Sequence, residues 1–421
     1  MVIVGVIAET APGESRVALT PAVVPALTSA GIEVVVAAGA GVAAGFSDEA
    51  YREKGARVAS REEALAAQVI ARVQATDSAD ILPAGSVVIG MCRPLAGLPA
   101  LREMAERGVT VFAMELMPRI TRAQSMDALS SQATIAGYKA ALLAALNLPK
   151  IFPMMTTAAG TLAPARVLVV GAGVAGLQAI ATSRRLGAVV EAYDVRPASK
   201  EQVESLGAKF VELPLETGDA EEKSGYAKAQ DEEFYRRQRE MMARVVAASD
   251  AVITTAQVPG KKAPVLVTAE MVKGMAPGSV IVDIAAEQGG NCELTKPDET
   301  VVQDGVTILG PTNLPATVPT HASQMYAKNI SSFLANLVKD GELRIDVEDE
   351  ITRETLVSRG GELVQPRVRE AFGLPPADAA AEAVPSAAVP PDTTTTAAAP
   401  PETTPEEKTP EEPQETEEAA T

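Results

Sequence analysis

Short apolar runs alternate with amphipathic segments along most of this chain, and the two periods predict different elements. Residues 2–7, 32–37, 87–91 and 109–114 are almost continuously apolar, as strands buried on both faces of a parallel sheet are. Between them, residues 60–67 and 98–107 read as helices, and Thr20-Pro21 supplies an N-cap and a first-turn proline for another. A second series of apolar runs covers 167–170, 189–193, 210–213, 251–254, 280–284 and 306–309. Six such strands are the number of a complete dinucleotide-binding fold. An Ala-rich helix at about 130–146 links the two series, a helix at about 323–338 returns toward the first, and 346–364 reads as irregular or short-strand structure. The expected fold is α/β, with two Rossmann-like domains of parallel sheet linked by long helices. One domain spans 1–135, completed by about 321–372; the other spans 136–320.

Composition refines this picture. Of 421 residues, 47% are hydrophobic but only 3% aromatic, with no Trp, so the core must be Val, Ile, Leu and Ala. The two cysteines, Cys92 and Cys292, are too few for a disulfide framework and read as buried free thiols of a reducing compartment. Net charge is −18, which argues against nucleic acid as a partner. Residues 374–421 hold eleven acidic residues against one lysine, and ten of the thirty prolines. This Pro/Ala/Thr/Glu tail has no hydrophobic period and is expected to be disordered. No run approaches the eighteen or so apolar residues that span a bilayer, and Glu9 interrupts the N-terminal run before it resembles a signal peptide. A cytoplasmic protein is expected.

The candidate chemistry begins at Gly171-Ala172-Gly173-Val174-Ala175-Gly176, which follows a predicted strand and opens a helix near Leu177. In that context Gly171 permits a tight turn, Gly173 lets backbone approach a pyrophosphate, and Gly176 lets helix and strand pack closely. The helix N-terminus adds unpaired N–H groups and partial positive charge. Asp194 ends the next strand, eighteen residues after Gly176. A carboxylate there accepts hydrogen bonds from the adenine ribose hydroxyls and repels a 2′-phosphate, which selects NAD(H) over NADP(H); Arg196 nearby is the one feature that could accommodate that phosphate. A second cluster, Gly39-Ala40-Gly41 with Gly45, lacks a matching acidic residue and reads as a loop before a helix capped by Ser47.

The segment from Pro118 to Gln132 closely resembles the NAD(H)-binding domain of proton-translocating nicotinamide nucleotide transhydrogenase, as do Gly171–Gly176, Ser224–Lys228, Thr255–Lys261 and Gly289–Cys292. Arg16–Pro21 is similar to alanine dehydrogenase, a relative in fold. The resemblance runs over nearly all of residues 1–370. It implies that Arg119, Gln124, Asp127 and Ser130 surround the nicotinamide, and that Ile120, Thr121, Val174, Val195, Gln238 and Gln257 lie against the nucleotide. Gly225 and Tyr226 would belong to a loop that closes over it. By themselves, residues 119–130 also fit a solvated loop with Asp127 or Ser130 as a helix cap. The resemblance further implies a homodimer on the inner face of the plasma membrane, docked to membrane-embedded subunits. NADP(H) would be held by a partner beta subunit, with hydride transfer coupled to proton translocation.

Two rivals are an alanine-type dehydrogenase and a non-catalytic NAD-binding module. A dehydrogenase of a small substrate needs a proton acceptor beside the hydride donor. The single histidine, His321, precedes the predicted final helix. Comparison with alanine dehydrogenase puts Cys92 at its lysine position and Glu115 at its histidine position, while Arg16 remains. Hydride transfer between two nicotinamides requires neither group. A sensor has no need of the polar loop 119–130.

Overall fold

The computed structural model describes residues 1–76, 82–212, 232–257 and 260–376. The tail expected to be disordered and the loop with Gly225 and Tyr226 lie outside the described residues.

Two sheets carry the structure. The first contains strands β1 (Val2–Val6), β2 (Ile32–Ala37), β3 (Arg57–Ala59), β4 (Val69–Gln74), β5 (Val87–Met91) and β6 (Thr110–Ala113). A small hairpin, β7 (Met155–Thr157) and β8 (Gly160–Leu162), precedes the second sheet. That sheet contains β9 (Arg166–Val170), β10 (Val189–Tyr193), β11 (Lys209–Phe210), β12 (Ala251–Thr254), β13 (Val280–Asp283), β14 (Thr300–Gln303) and β15 (Val306–Leu309). Late in the chain come a two-stranded ladder, β16 (Val338–Lys339) with β17 (Glu342–Leu343), and then β18 (Leu356–Arg359) and β19 (Glu362–Leu363). Spatially the first sheet runs β3-β2-β1-β4-β5-β6-β18-β19, and the second runs β11-β10-β9-β12-β13-β15-β14. Both show the doubly wound order, which reverses between β1 and β4 in one and between β9 and β12 in the other. The main strands are parallel; β18, β19 and β14 are antiparallel additions at the edges.

Sequence patterning located the six main strands of the second sheet and missed several others. β4 was overlooked because Arg72 stands inside an apolar run; its guanidinium is buried against Glu9. Residues 346–364 are more regular than expected, since a helix, Glu350–Thr355, leads into β18 and β19, which extend the first sheet. Thr20 stands at an N-cap position but makes no capping bond, and Pro21–Val23 is a 3-10 turn before a helix at Val24–Ser29. Ser47 caps its helix as expected, accepting from the Ala50 amide at 3.2 Å. The last long helix begins at Pro319, so His321 lies in its first turn and is exposed.

The cores follow composition. The first sheet buries Val4, Val6, Val34, Val36 and Phe112 against Tyr326, Ile330 and Phe333 of the Pro319–Leu337 helix. The second buries Val167, Val169, Ile253 and Val282 against Ala140, Ala141 and Ala144 of the Ala128–Asn147 helix. That helix passes so close to the Val174–Arg185 helix that a Cβ on Gly137 would stand 2.0 Å from the Ala175 carbonyl oxygen. A small residue at this crossing joins the two long helices.

Candidate nucleotide-binding site

The glycine turn lies where the order of the second sheet reverses, between the ends of β9 and β12. Each glycine has its own geometric reason. Gly171 adopts φ +100°, a left-handed conformation that disfavours a side chain. A Cβ at Gly176 would meet the Gly171 carbonyl oxygen at 1.9 Å, whereas a Cβ at Gly173 would meet nothing within 4 Å. Gly173 is therefore open toward solvent, as a backbone approached by a ligand must be. The helix starts at Val174 with Gly173 as N-cap, earlier than expected, and Val174 is exposed at its first turn.

Asp194 follows β10 and is nearly buried. One carboxylate oxygen accepts the Ala172 amide at 2.7 Å, tying the strand end to the glycine turn. The other accepts the Arg196 amide at 2.8 Å and its Nε at 2.9 Å, and Arg196 Nη2 reaches the first oxygen at 3.0 Å. Arg196 is thus engaged by Asp194 itself. Val195, between them, is half-buried. Gln238 is buried close by, its amide donating to the hydroxyl of Tyr193, the neighbour of Asp194, at 2.7 Å. Gln257 is exposed beyond β12 and donates to the Ile284 carbonyl.

The far wall of the turn holds residues that sequence reading missed. The Thr255 hydroxyl donates to the Gly171 carbonyl at 3.1 Å. Asn291 accepts from the Ala256 amide at 2.9 Å and donates to the Ala256 carbonyl at 2.8 Å, which fixes that loop as a second strand would. Asp283 accepts from the amides of Ala285, Asn291 and Cys292. The Gly-Gly-Asn-Cys motif was the only sequence signal for this arrangement.

Residues 119–130 join the two sheets. Thr121–Met126 is a 3-10 helix whose Ala123 and Met126 enter the first core, while Arg119 and Gln124 are exposed. Ile120 is half-buried and Thr121 exposed. Asp127 caps the long helix, accepting from the Ser130 amide at 2.9 Å and its hydroxyl at 2.6 Å. The capping reading of Asp127 holds, and it leaves Gln124 available to a ligand.

In the first sheet the matching crevice is filled by side chains. At the end of β1, Glu9 accepts from the amides of Val73 and Gln74 at 2.6 and 3.3 Å and pairs with Arg72 at 3.3 Å. Beside it, Arg16 pairs with Glu14 and donates to Asn313 and Gln132, each at 2.8 Å. Burial works against the Glu14 charge, but the Arg16 guanidinium outweighs it and holds the carboxyl below its ordinary range. Cys92 is not in this pocket: its thiol is wholly buried and faces the Gly90 and Phe112 carbonyls. The side chain at the end of β4 that meets Glu14 is Gln74. Glu115 accepts the Cys92 and Arg93 amides, both at 2.8 Å, and is a loop anchor.

Fold and site define a nucleotide-binding α/β protein of two Rossmann-like units. The chain belongs to the alanine dehydrogenase/PNT family: the N-terminal domain model matches residues 5–136 and the C-terminal domain model residues 140–366. It is 50% identical over 370 residues to the first part of NAD(P) transhydrogenase subunit alpha of Rhodospirillum rubrum, covering 85% of this chain and 96% of that protein. The Rickettsia prowazekii protein of the same name is 44% identical, covering 86% and 96%. A solved transhydrogenase structure from Sinorhizobium meliloti matches with a TM-score of 0.78 at 46% identity, covering 86% of this chain and all of that one. An L-alanine dehydrogenase structure matches with a TM-score of 0.75 at 26% identity, covering 88% and 99%. Among the described residues, no helix is long and apolar enough to cross a membrane.

Proposed function

We propose that this chain is the NAD(H)-binding subunit of a proton-translocating NAD(P) transhydrogenase. The observation that carries the reading is an open glycine turn bonded to Asp194 at the switch point of the second sheet, in a chain similar to transhydrogenase alpha subunits over nearly their full length. NAD(H) fits these residues. The space beside Gly173 admits a pyrophosphate, and the first-turn amides of the Val174–Arg185 helix would bind it. Asp194 would accept the ribose hydroxyls, with Arg196 and Val195 beside it, and Gln238 and Gln257 would flank the nucleotide. Gly225 and Tyr226 would close over it.

When bound, NAD(H) supplies the carbon that gives or takes hydride, and NADP(H) on a partner beta subunit supplies the other. The tasks left to this chain are orientation and exclusion of water. Arg119, Gln124, Asp127 and Ser130, with Ile120 and Thr121, would fix the carboxamide and so the ring face. No general base is needed in this chain, because the unit transferred is hydride rather than a proton. The protein would act as a homodimer, docked in the cytoplasm on membrane-embedded subunits that couple the reaction to proton movement.

Mixing the chain with its membrane partners, NADP+ and NADH deuterated at C4 should move the label into NADPH without loss to solvent. Alanine-dependent NAD+ reduction by the chain alone would instead establish a dehydrogenase. Binding of NADH without transfer to any partner would leave a binding module.

A further inference from the structure

The segment proposed to orient the nicotinamide is held in place by the far end of the chain. We infer that Asn329, on the Pro319–Leu337 helix, is a positioning residue for that site, fixing residues 121–131 through Ser125 and Ser131. The inference rests on the reading that residues 119–130 face the nicotinamide.

Asn329 is only 7% exposed. Its Nδ2 donates to the Ser125 carbonyl at 2.9 Å, and its Oδ1 accepts from the Ser131 hydroxyl at 2.7 Å. Ser125 follows Gln124, and Ser131 follows Ser130. A single amide therefore ties the backbone beside one proposed orienting residue to the helix turn beside another. The 3-10 helix stops at Met126, and Asp127 leaves helical geometry with ψ 89°. The Ser125 carbonyl is one of the end carbonyls that a short helix leaves without an internal partner. Serving it while also receiving the Ser131 hydroxyl needs a side chain that donates at one tip and accepts at the other, which an amide does and a carboxylate does not.

A second anchor acts on the same segment. Arg122 pairs with Asp349 and donates to Asn336 at 3.3 Å, and Asn336 in turn donates to Asp349 at 3.0 Å. Burial opposes ionisation of Asp349, but hydrogen bonds from Arg122, Asn336 and Thr352 outweigh it and hold the carboxyl at about 2. Ala123 and Met126 share a core with Ile330 and Phe333 of the helix that carries Asn329. The exposed side chains of Arg119 and Gln124 thus stand on a frame fixed from outside their own segment.

The test compares N329A, N329D, S131A and Q124A in the full chain with its membrane partners. N329D keeps the size of the side chain but sets an oxygen against the Ser125 carbonyl. Because a loop displaced by about 1 Å costs up to about a hundredfold in rate, N329A and N329D should slow hydride transfer at saturating nucleotide by about tenfold or more. NADH affinity of the isolated chain should stay within about twofold, which separates positioning from binding. S131A, which removes one arm, should lose less. Unchanged transfer in N329A and N329D, with transfer slowed in Q124A, would overturn the role of Asn329 and leave the nicotinamide reading standing. Unchanged transfer in Q124A as well would remove both. Equal losses of NADH affinity, thermal stability and transfer would make Asn329 a structural residue only, against the inference. If N329A does not fold, S131A decides: slowed transfer at unchanged NADH affinity supports the inference, and unchanged transfer overturns it.

Discussion

The two sheets wind their strands in the same order and differ in what stands where that order reverses. In the second, backbone ends in a glycine turn with open space beside Gly173 and a carboxylate, Asp194, bonded to the turn. In the first, the end of β1 runs into Glu9, whose carboxylate takes the amides of Val73 and Gln74, with Arg72 and the Arg16–Glu14 pair packed around it. Open α/β sheets place ligands at this switch point. One crevice here is prepared for an anion from outside, and the other already holds the chain's own anions. The same topology therefore serves as a nucleotide site in one half and as a buried ionic joint in the other, which is why function must be argued from the site rather than the fold.

Substitutions should separate the two halves. Glu9→Ala takes the carboxylate from a buried pair and two amides, and should cost about 3–5 kcal/mol of stability in a denaturant titration, with NADH affinity unchanged in the protein that remains folded. Gly173→Val should do the reverse. It fills open space and leaves the melting temperature near that of the parent, but should weaken NADH binding by at least about tenfold, because the pyrophosphate can no longer approach the backbone. Asp194→Ala should weaken NADH by several-fold and narrow the preference over NADPH; unchanged affinity would remove it from the site. The smallest effect is a pH dependence in the first half. Burial pushes the Glu115 carboxyl from 4.5 up to about 7, against the backbone amides of Arg93 and Cys92. The folded state then binds the proton more tightly than the unfolded chain, so this group's contribution to stability is full below about 4.5 and is lost as pH rises through about 7. Glu115→Gln should flatten that part of the melting profile, and an unaltered profile would show that Glu115 does not titrate there.

How much of this was legible in the sequence depended on the distance between partners. The turn and Asp194 are local features, so spacing alone located them. Arg72 reads as an interruption until Glu9, sixty-three residues away, is brought against it. Thr255 and Asn291, which hold the glycine turn and the loop beside it, bond to backbone from 27 to 84 residues away. Asn329 reaches Ser125 across 204 residues. Cys92 was misplaced for a related reason: sequence correspondence put it in a pocket, whereas the strand turns its thiol into the core and Gln74 faces Glu14 instead. Edge strands such as β14 and β19 are short and half-exposed, and carry too little apolar pattern to be recognised.

The central claim is that the second crevice takes NAD(H). Titrating the isolated chain with NADH and with NADPH at fixed salt tests it most directly. Because Asp194 meets the ribose hydroxyls and repels a 2′-phosphate, NADH should bind at least about tenfold more tightly than NADPH. Equal affinity, or tighter binding of NADPH, would contradict the account.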